Sequence, residues 1–302
     1  MKAAALAALA LVAAGCGASV AAPPQPGWTF AQSMSQRRSY SAAAEVGSEI
    51  YVAGGMVGNS GRFLALTQRF DPVRDVWTTL EPLPFPVRAA SAAAIGGRIY
   101  VTGGQTEDGI TRKVEVYDVR AHRWSQAPRL PVPLFNHSTV ELGGTLYVLG
   151  GFDRSRERRD VYAYRPGGAW RKLAPLPRPT HAFGAVAFHG RIWAIGGRRG
   201  ERILREVWIY DPKRNSWRKG PTLPRPMELL GATAAGDRIY AVWEHTYQVY
   251  DARTHRWREG PSPQVPRHAL SVFAVGGRLY AVGGCVTPQL VDSQVVEKRP
   301  LS

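Results

Sequence analysis

The feature that most constrains the fold is a short sequence phrase that recurs along the chain. An apolar run rich in β-branched and aromatic residues ends in two glycines, at residues 50–55, 99–104, 146–151, 192–197 and 279–284. A sixth copy, residues 239–244, ends in Trp243 and Glu244 instead. Such runs are typical of strands that stop where the backbone needs the freedom of glycine. Six copies of one phrase predict a repeat protein.

Two further series follow the same spacing. An aromatic residue, usually followed by Asp, comes after the copies at 50–55, 99–104, 146–151, 192–197 and 239–244, and a tryptophan comes next, at Trp77, Trp124, Trp170, Trp217 and Trp257. The phrases are 40 to 49 residues apart. This period, with room for four short strands per unit, is typical of an all-β propeller.

The combination of Gly-Gly, Tyr-Asp and Trp resembles the kelch repeat, from Trp28 to about Glu297. The resemblance implies a six-bladed β-propeller over residues 27–302. The expected blades are residues 38–82, 88–129, 135–175, 181–222, 228–262 and 267–297, the last completed by 27–36. The sixth unit ends without a tryptophan, and Trp28 precedes the first unit. We therefore expect the N-terminal segment to supply the outer strand of the last blade and close the ring.

The first residues predict an export signal rather than part of the fold. Lys2 is followed by an apolar run too short to span a bilayer as a helix, and the run ends at Gly15-Cys16. This resembles a bacterial lipobox, which implies a lipoprotein signal peptide over 1–15, lipidation of Cys16 and a flexible tether over 16–26. The protein would then be anchored to a membrane of the bacterial cell envelope. The alternative is an ordinary signal and a soluble periplasmic or secreted protein.

The composition limits the classes of partner that the chain is expected to bind. The formal net charge is +16, but no Lys/Arg run or aromatic ladder concentrates it, and export argues against nucleic acid. An acidic protein, a glycan or a small anionic ligand fits better, although a general arginine bias explains the charge equally well. Cys285 is the only cysteine besides Cys16, so no disulfide framework is expected. We expect a monomer without a cofactor.

Strand geometry indicates where a ligand would bind. In antiparallel blades, the segments that enter the inner strands emerge on the same face as the connections between the second and third strands. These entry segments supply a set of cations and imidazoles with one carboxylate: Arg38, Arg88, Asn136, His137, His181, Glu228, Arg267 and His268. Kelch propellers commonly bind ligands at this location, and the resemblance implies the same here.

Blade five departs from the others. Its connection between second and third strands is the shortest, which lowers the rim beside Glu228 and exposes Glu244 and His245. Arg198 lies on the rim of blade four. The histidines lie on different blades without ligand spacing, so no metal site is predicted. Cys285 with His268 as base is a possible nucleophile, but a buried free cysteine is commoner.

Two functions compete. The first is a non-catalytic binding module that presents a basic channel mouth, rich in Arg and His, to an acidic partner. The alternative rests on a resemblance in architecture to the sialic-acid mutarotases, also exported kelch propellers. It implies a mutarotase or epimerase of an acidic sugar, with Glu228 as acid/base and an arginine holding the carboxylate. A scaffold for another envelope protein is a third interpretation.

Overall fold

The computed structural model describes residues 27–58, 61–286 and 291–301. All helices and strands assigned within these ranges are β-strands; the ranges contain no helix. No helix there is long and apolar enough to cross a membrane. The predicted signal peptide, Cys16 and the tether lie outside the described residues, and they stay predictions.

The described strands form six four-stranded antiparallel sheets, numbered here sheets 1 to 6 in chain order. Sheets 1 to 3 contain, from the inner to the outer strand, Ala42–Val46, Glu49–Ala53, Thr67–Asp71 and Val76–Leu80; Ser91–Ile95, Arg98–Thr102, Val114–Asp118 and Arg123–Gln126; Ser138–Glu141, Leu146–Leu149, Val161–Tyr164 and Arg171–Lys172. Sheets 4 to 6 contain Gly184–Phe188, Arg191–Ile195, Val207–Asp211 and Ser216–Lys219; Gly231–Ala235, Arg238–Trp243, Thr246–Asp251 and Arg256–Gly260; Ser271–Val275, Arg278–Val282, Val296–Pro300 and Thr29–Ala31.

The sheets are arranged in a closed ring. The inner strand of each sheet lies beside that of the next, and the inner strand of sheet 6 lies beside that of sheet 1. These strands surround a central channel of about 540 Å³ that is lined mainly by Ala, Ser and Thr. The all-β propeller predicted from the repeat is confirmed.

Sheet 6 contains both ends of the chain. Thr29–Ala31 pairs antiparallel with Val296–Pro300, with Phe30 opposite Glu297. The predicted closure by the N-terminal strand is therefore confirmed. This pairing covers the edge that sheet 6 would otherwise expose.

The tryptophans join neighbouring sheets in a regular way. Each indole N–H donates to a backbone carbonyl of the segment that leaves the preceding sheet, at 2.7–3.0 Å. Five of these bonds come from the tryptophans of sheets 1 to 5, and the sixth runs from Trp28 to the carbonyl of Pro261. Trp28 is thus the tryptophan that the sixth repeat lacks.

A ring of backbone hydrogen bonds closes the channel mouth. The residue two positions before each inner strand has a left-handed backbone, with φ between 45° and 55°. These six ring residues are Tyr40, Ala89, Asn136, Ala182, Leu229 and Ala269. The N–H of each donates to the carbonyl of its counterpart in the preceding sheet at 2.7–3.3 Å, and Tyr40 completes the circle by donating to Ala269. A left-handed backbone costs a non-glycine residue about 1 to 2 kcal/mol, so the ring must offset that strain at six positions.

The glycine pairs make a second ring. The second glycine donates its N–H to a carbonyl of the next sheet's entry segment, as in the 2.7 Å bond from Gly104 to Leu134. A Cβ on Gly104 would lie 2.5 Å from Val87 Cγ2 and 2.9 Å from the carbonyl oxygen of Arg88. In sheet 5, Glu244 takes this place with φ 48° and donates to Arg267 at 2.7 Å. The degenerate copy therefore keeps the backbone bond that the glycines make.

Closure predicts a large effect of Trp28→Ala. Trp28 is 2% exposed and packs edge-on against Tyr247, with ring centroids 5.8 Å apart. We expect the free energy of unfolding to fall by about 3–5 kcal/mol, measured by urea denaturation. The control is Phe30→Ala in the adjoining strand, which is 54% exposed and should change it by no more than about 0.5 kcal/mol. Equal losses in the two variants would contradict this account of closure.

Candidate ligand-binding face at the channel mouth

The segments that enter the inner strands lie at the same end of the channel as the connections between the second and third strands. The entry segments, residues 38–41, 87–90, 134–137, 180–183, 227–230 and 267–270, lead into the inner strands. In five sheets the second residue of the entry segment pairs with the start of the connection between the second and third strands, here called the cross-connection. Ser39 pairs with Met56, Arg88 with Gln105, and His181 with Arg198. Entry segments and cross-connections therefore share one end of the channel.

Short ladders stiffen several cross-connections on this face. They are Met56–Val57 with Arg62–Phe63, Gln105–Thr106 with Gly109–Ile110, Arg198–Arg199 with Arg202–Ile203, and Arg267–His268 with Cys285–Val286 and Val291–Asp292.

The four positions of an entry segment have different surroundings. Side chains at the first position are buried in every sheet: Arg38, Val87, Leu134, Thr180, Met227 and Arg267. Side chains at the second position lie beside the cross-connections, and the third position belongs to the hydrogen-bonded ring. The third and fourth positions together line a recess of about 100 Å³. The four positions thus have different surroundings, so the predicted ligand contacts do not share one surface.

Arg38 and Arg267 are corrected from ligand contacts to core residues. The Arg267 guanidinium donates to the carbonyls of Gly283 and Val295 at 2.9 and 2.6 Å and to Glu297 Oε2 at 2.8 Å. Both side chains of this ion pair are 0% exposed. Arg38 is fully buried and donates to the carbonyl of Leu66 at 2.9 Å and to Gln68. Burial lowers the pKa of Arg38 to about 9. Neither side chain reaches the mouth.

His137 is likewise corrected. It occupies the fourth position and is buried, and its Nε2 lies 2.8 Å from Thr102 Oγ1. Burial lowers its pKa to about 3, so the ring is uncharged at neutral pH. A Cβ on Gly103 would lie 2.9 Å from His137 Cε1, which shows how tightly the imidazole fits between sheets 2 and 3. Asn136, in contrast, is a ring residue beside the recess.

Arg88 lies at the mouth as predicted. Its Nε and Nη2 both donate to Gln105 Oε1, at 3.1 and 2.9 Å, and the guanidinium carbon lies 5.0 Å from the centroid of the Phe63 ring. Among the described residues, the guanidinium of Arg88 donates to Gln105 and to the sulfur of Met56 and forms no ion pair with a carboxylate. Its positive charge is therefore available to an anion, while the amide and the aromatic ring hold it in place.

Glu228 and Arg198 form an ion pair. Arg198 Nη1 donates to the two carboxylate oxygens at 3.1 and 3.3 Å, and Arg198 Nε donates to the carbonyl of Gly200 at 2.9 Å. The Glu228 side chain is 12% exposed and that of Arg198 is 38% exposed. The structure thus brings these two predicted residues together, with the carboxylate covered by the guanidinium.

His181 and His268 lie beside carboxylates. His181 Nδ1 is 3.3 Å from Glu157 Oε1, and His268 Nδ1 is 3.7 Å from Glu244 Oε1. Burial lowers the pKa of both imidazoles, and the carboxylates oppose that shift only in part. Neither ring carries a positive charge at neutral pH.

Sheet 5 has the lowered rim that its short connection predicts. Trp243 and Thr246 face each other across a two-residue turn, in which His245 is exposed and Glu244 is half-buried. Cys285 lies opposite His268 in the adjacent pairing. Burial, and then the charge of Asp292, raises the pKa of its thiol to about 11. The thiol is therefore protonated at neutral pH, which disfavours a nucleophilic role.

The mouth is less basic than the sequence indicates, and the free positive charge lies further out. The cross-connections of sheets 3 and 4 carry Arg154, Arg156 and Arg202, all exposed. None of the three forms an ion pair with a described residue, whereas Arg158 between them is held by Asp153 and Asp160 at 3.0 and 2.7 Å. Arg156 and Arg202 were not among the residues that the sequence pattern indicated. The concentration of arginines in residues 154–159 is the sequence feature that could have indicated Arg156.

The two arginine-bearing cross-connections are joined to each other. The N–H of Gly200 donates to Glu157 Oε1 at 2.5 Å. The pairing of Arg199 with Arg202 in a short ladder fixes the second connection internally. We call Arg154, Arg156 and Arg202 the rim arginines. No group of three or more His, Cys, Asp or Glu within the described ranges is arranged to hold a metal ion.

A closed ring of antiparallel sheets, with variable connections gathered around one channel mouth, defines a β-propeller. The model of the KLHDC2/KLHL20/DRC7 Kelch-repeats domain matches residues 41–242 and, displaced by one repeat, residues 91–284. The chain therefore belongs to the Kelch-repeat family, as its motifs predicted. Kelch domains commonly mediate protein–protein binding, so a binding module is the function class that this membership supports. No curated protein matches the chain.

The buried arginines predict a stability effect. Arg267→Ala leaves Glu297 without its partner in a site with no access to water. We expect the free energy of unfolding at neutral pH to fall by about 3–5 kcal/mol in urea denaturation. Arg88→Ala, which removes the same side chain from the half-buried mouth position, is the control, with an expected loss below about 1 kcal/mol. A loss for Arg267→Ala no larger than for Arg88→Ala would return Arg267 to the list of ligand contacts.

His137 predicts a pH dependence. The unfolded chain binds a proton at this residue below about pH 6.5, whereas the folded protein does so only near its pKa of about 3. Stability must therefore fall on acidification between these values, by up to about 1.4 kcal/mol per pH unit. His137→Leu, which places at this position the residue found at Leu230 and Leu270, should flatten the profile. Urea denaturation from pH 7 to 4 measures both slopes; identical slopes would exclude His137 as the cause.

Proposed function

We propose that this protein is a binding module that holds an acidic segment of a partner protein across the channel-mouth face. The exposed and unpaired rim arginines are the observation that carries the proposal. The segment would lie over the rim arginines of sheets 3 and 4 and extend toward Arg88 at the mouth. Kelch-family membership supports a protein as the partner.

The size of the mouth favours a surface contact over an enclosed small ligand. The recess between the ring residues measures about 100 Å³, whereas pockets that enclose small molecules usually measure about 300–1,000 Å³. An acidic sugar would have to bind largely outside this recess. An extended acidic segment needs no deep pocket, since charge complementarity over a surface is sufficient to orient it.

The distribution of charge at the mouth indicates where the acidic part of the partner would bind. Glu228 is covered by Arg198, and the two mouth histidines are uncharged at neutral pH. Besides Arg88 of sheet 2, the unpaired positive charge is therefore concentrated in the rim arginines of sheets 3 and 4, while sheet 5 contributes Glu244. We expect the acidic part of the partner to lie over sheets 3 and 4 rather than over the centre of the mouth.

The mutarotase alternative, with Glu228 as acid/base, stays a prediction. No described contact favours it, since both oxygens of the Glu228 carboxylate accept hydrogen bonds from Arg198. Export, the lipid anchor at Cys16 and the envelope location also stay predictions. If they hold, the partner is another protein of the envelope.

Charge reversal of the rim arginines tests the binding proposal. A variant combining Arg154→Glu, Arg156→Glu and Arg202→Glu should bind a fluorescent oligoglutamate peptide at least about tenfold more weakly, measured by anisotropy at low salt. The control combines Arg120→Glu, Arg123→Glu and Arg214→Glu, three exposed arginines in the outer hairpins of the opposite face. This control has the same net charge. Equal weakening in both variants would show that only net charge matters and would refute a site on the mouth face.

A further inference from the structure

A groove on the face opposite the mouth departs from the repeat. It lies between sheets 3 and 4, has a volume of about 630 Å³ and is lined by Thr145, Tyr147, Arg165, Arg171 and Lys213, among others. The residues come from the inner and outer hairpins of the two sheets. The groove is therefore separate from the channel mouth and from the rim arginines.

The groove is bordered by an altered outer hairpin of sheet 3. In the outer hairpins of sheets 1, 2, 4 and 5, an aspartate follows the aromatic residue, and its carboxylate accepts backbone N–H groups of the turn, as Asp118 does from Arg120 and Ala121 at 3.1 and 2.9 Å. Sheet 3 has Arg165 at this position, and its hairpin is one residue shorter. The turn is closed instead by a 2.9 Å bond from the N–H of Gly168 to the carbonyl of Arg165. The outer strand, Arg171–Lys172, has only two residues.

Arg165 brings a positive charge to the groove where the other outer hairpins have the negative charge of an aspartate. Arg165, Arg171 and Lys213 line the groove without a carboxylate among the lining residues. None of the three forms an ion pair within the described ranges, although the neighbouring Lys172 is paired with Asp160 at 2.9 Å and Arg191 with Asp211 at 3.3 Å. The corresponding groove between sheets 4 and 5 is smaller, about 350 Å³, and includes Asp237.

Polar contacts hold the cations at the groove. Arg165 Nε donates to Thr145 Oγ1 at 3.0 Å, which leaves its terminal nitrogens without a partner among the described residues. Arg171 and Arg165 are close enough to Tyr147 to act on its phenol: burial raises the pKa of Tyr147, and the two positive charges oppose that rise. The charge of Arg171 also acts on Tyr210. Arg165 and Arg171 thus line the groove together with Tyr147.

We propose that this groove binds a small ligand through an oxyanion, carboxylate or phosphate, with Arg165 and Arg171 as the main contacts and Lys213 at the edge. Guanidinium groups bind both kinds of oxyanion through paired hydrogen bonds, and a phenol hydroxyl can donate a further one. The volume falls within the range of small-molecule sites.

The test is a titration of the full chain with inorganic phosphate and, separately, with malonate, at constant ionic strength. Backbone amide resonances of Gly168 and Gly190, which line the groove, report on binding. We expect saturable shifts of these two resonances with at least one probe. Saturation by phosphate alone identifies a phosphate site, saturation by malonate alone identifies a carboxylate site, and saturation by both identifies a general oxyanion site.

A matched pair of variants makes the test specific. Arg171→Ala should weaken binding about tenfold, as expected for loss of a charge-assisted hydrogen bond. Arg218→Ala removes the same side chain from the equivalent position after the tryptophan of sheet 4, and should leave the affinity unchanged. Arg165→Asp, which restores the residue found in the other hairpins, should also weaken binding. The proposal is overturned if neither probe gives saturable shifts, or if Arg218→Ala weakens binding as much as Arg171→Ala.

Discussion

Three closed circuits of hydrogen bonds between neighbouring sheets hold this molecule together. The left-handed ring residues bond to one another around the mouth, the second glycine or Glu244 bonds to the next entry segment, and each tryptophan bonds to the segment leaving the preceding sheet. A bond in each circuit links sheet 6 to sheet 1, which for the tryptophans is the bond from Trp77 to the carbonyl of Gln32. Sheet 6 takes its outer strand from the N-terminal segment, so closure also pairs the edge of Val296–Pro300 that would otherwise be open. Loss of one junction therefore weakens both sheets that share it.

The fold was readable from sequence because the repeat marks these circuits with residues of unusual geometry. Glycine pairs mark positions that a Cβ would block, and tryptophans mark the outer strands. Trp28 could be assigned to the sixth repeat from the sequence alone, since the sixth unit has no tryptophan of its own. Such marks survive because close backbone approaches and buried indoles admit few substitutes.

The candidate site was less readable because it depends on alternation within segments of four residues. Arg38 and Arg88 look equivalent in the sequence, but Arg38 occupies the first position of its entry segment and Arg88 the second. One residue of offset moves a guanidinium from the half-buried mouth to the core. The charge of the histidines was also hidden, since it depends on burial that no motif reveals. The altered hairpin of sheet 3 was visible as Arg165 in place of Asp, but the groove it borders depends on packing between sheets.

Closure through backbone atoms explains why function can vary on this scaffold. Because the ring at the mouth uses only N–H and C=O groups, it places no demand on the side chain at the second position of the entry segments. That position holds Ser39, Arg88, Phe135, His181, Glu228 and His268, six residues with nearly as many chemistries. Glu244 shows the same freedom at a glycine position: it keeps the backbone bond, accepts a left-handed conformation and brings a carboxylate to the mouth. Departures from the repeat are thus tolerated where the backbone carries closure, and those departures are where the binding chemistry of this protein is concentrated.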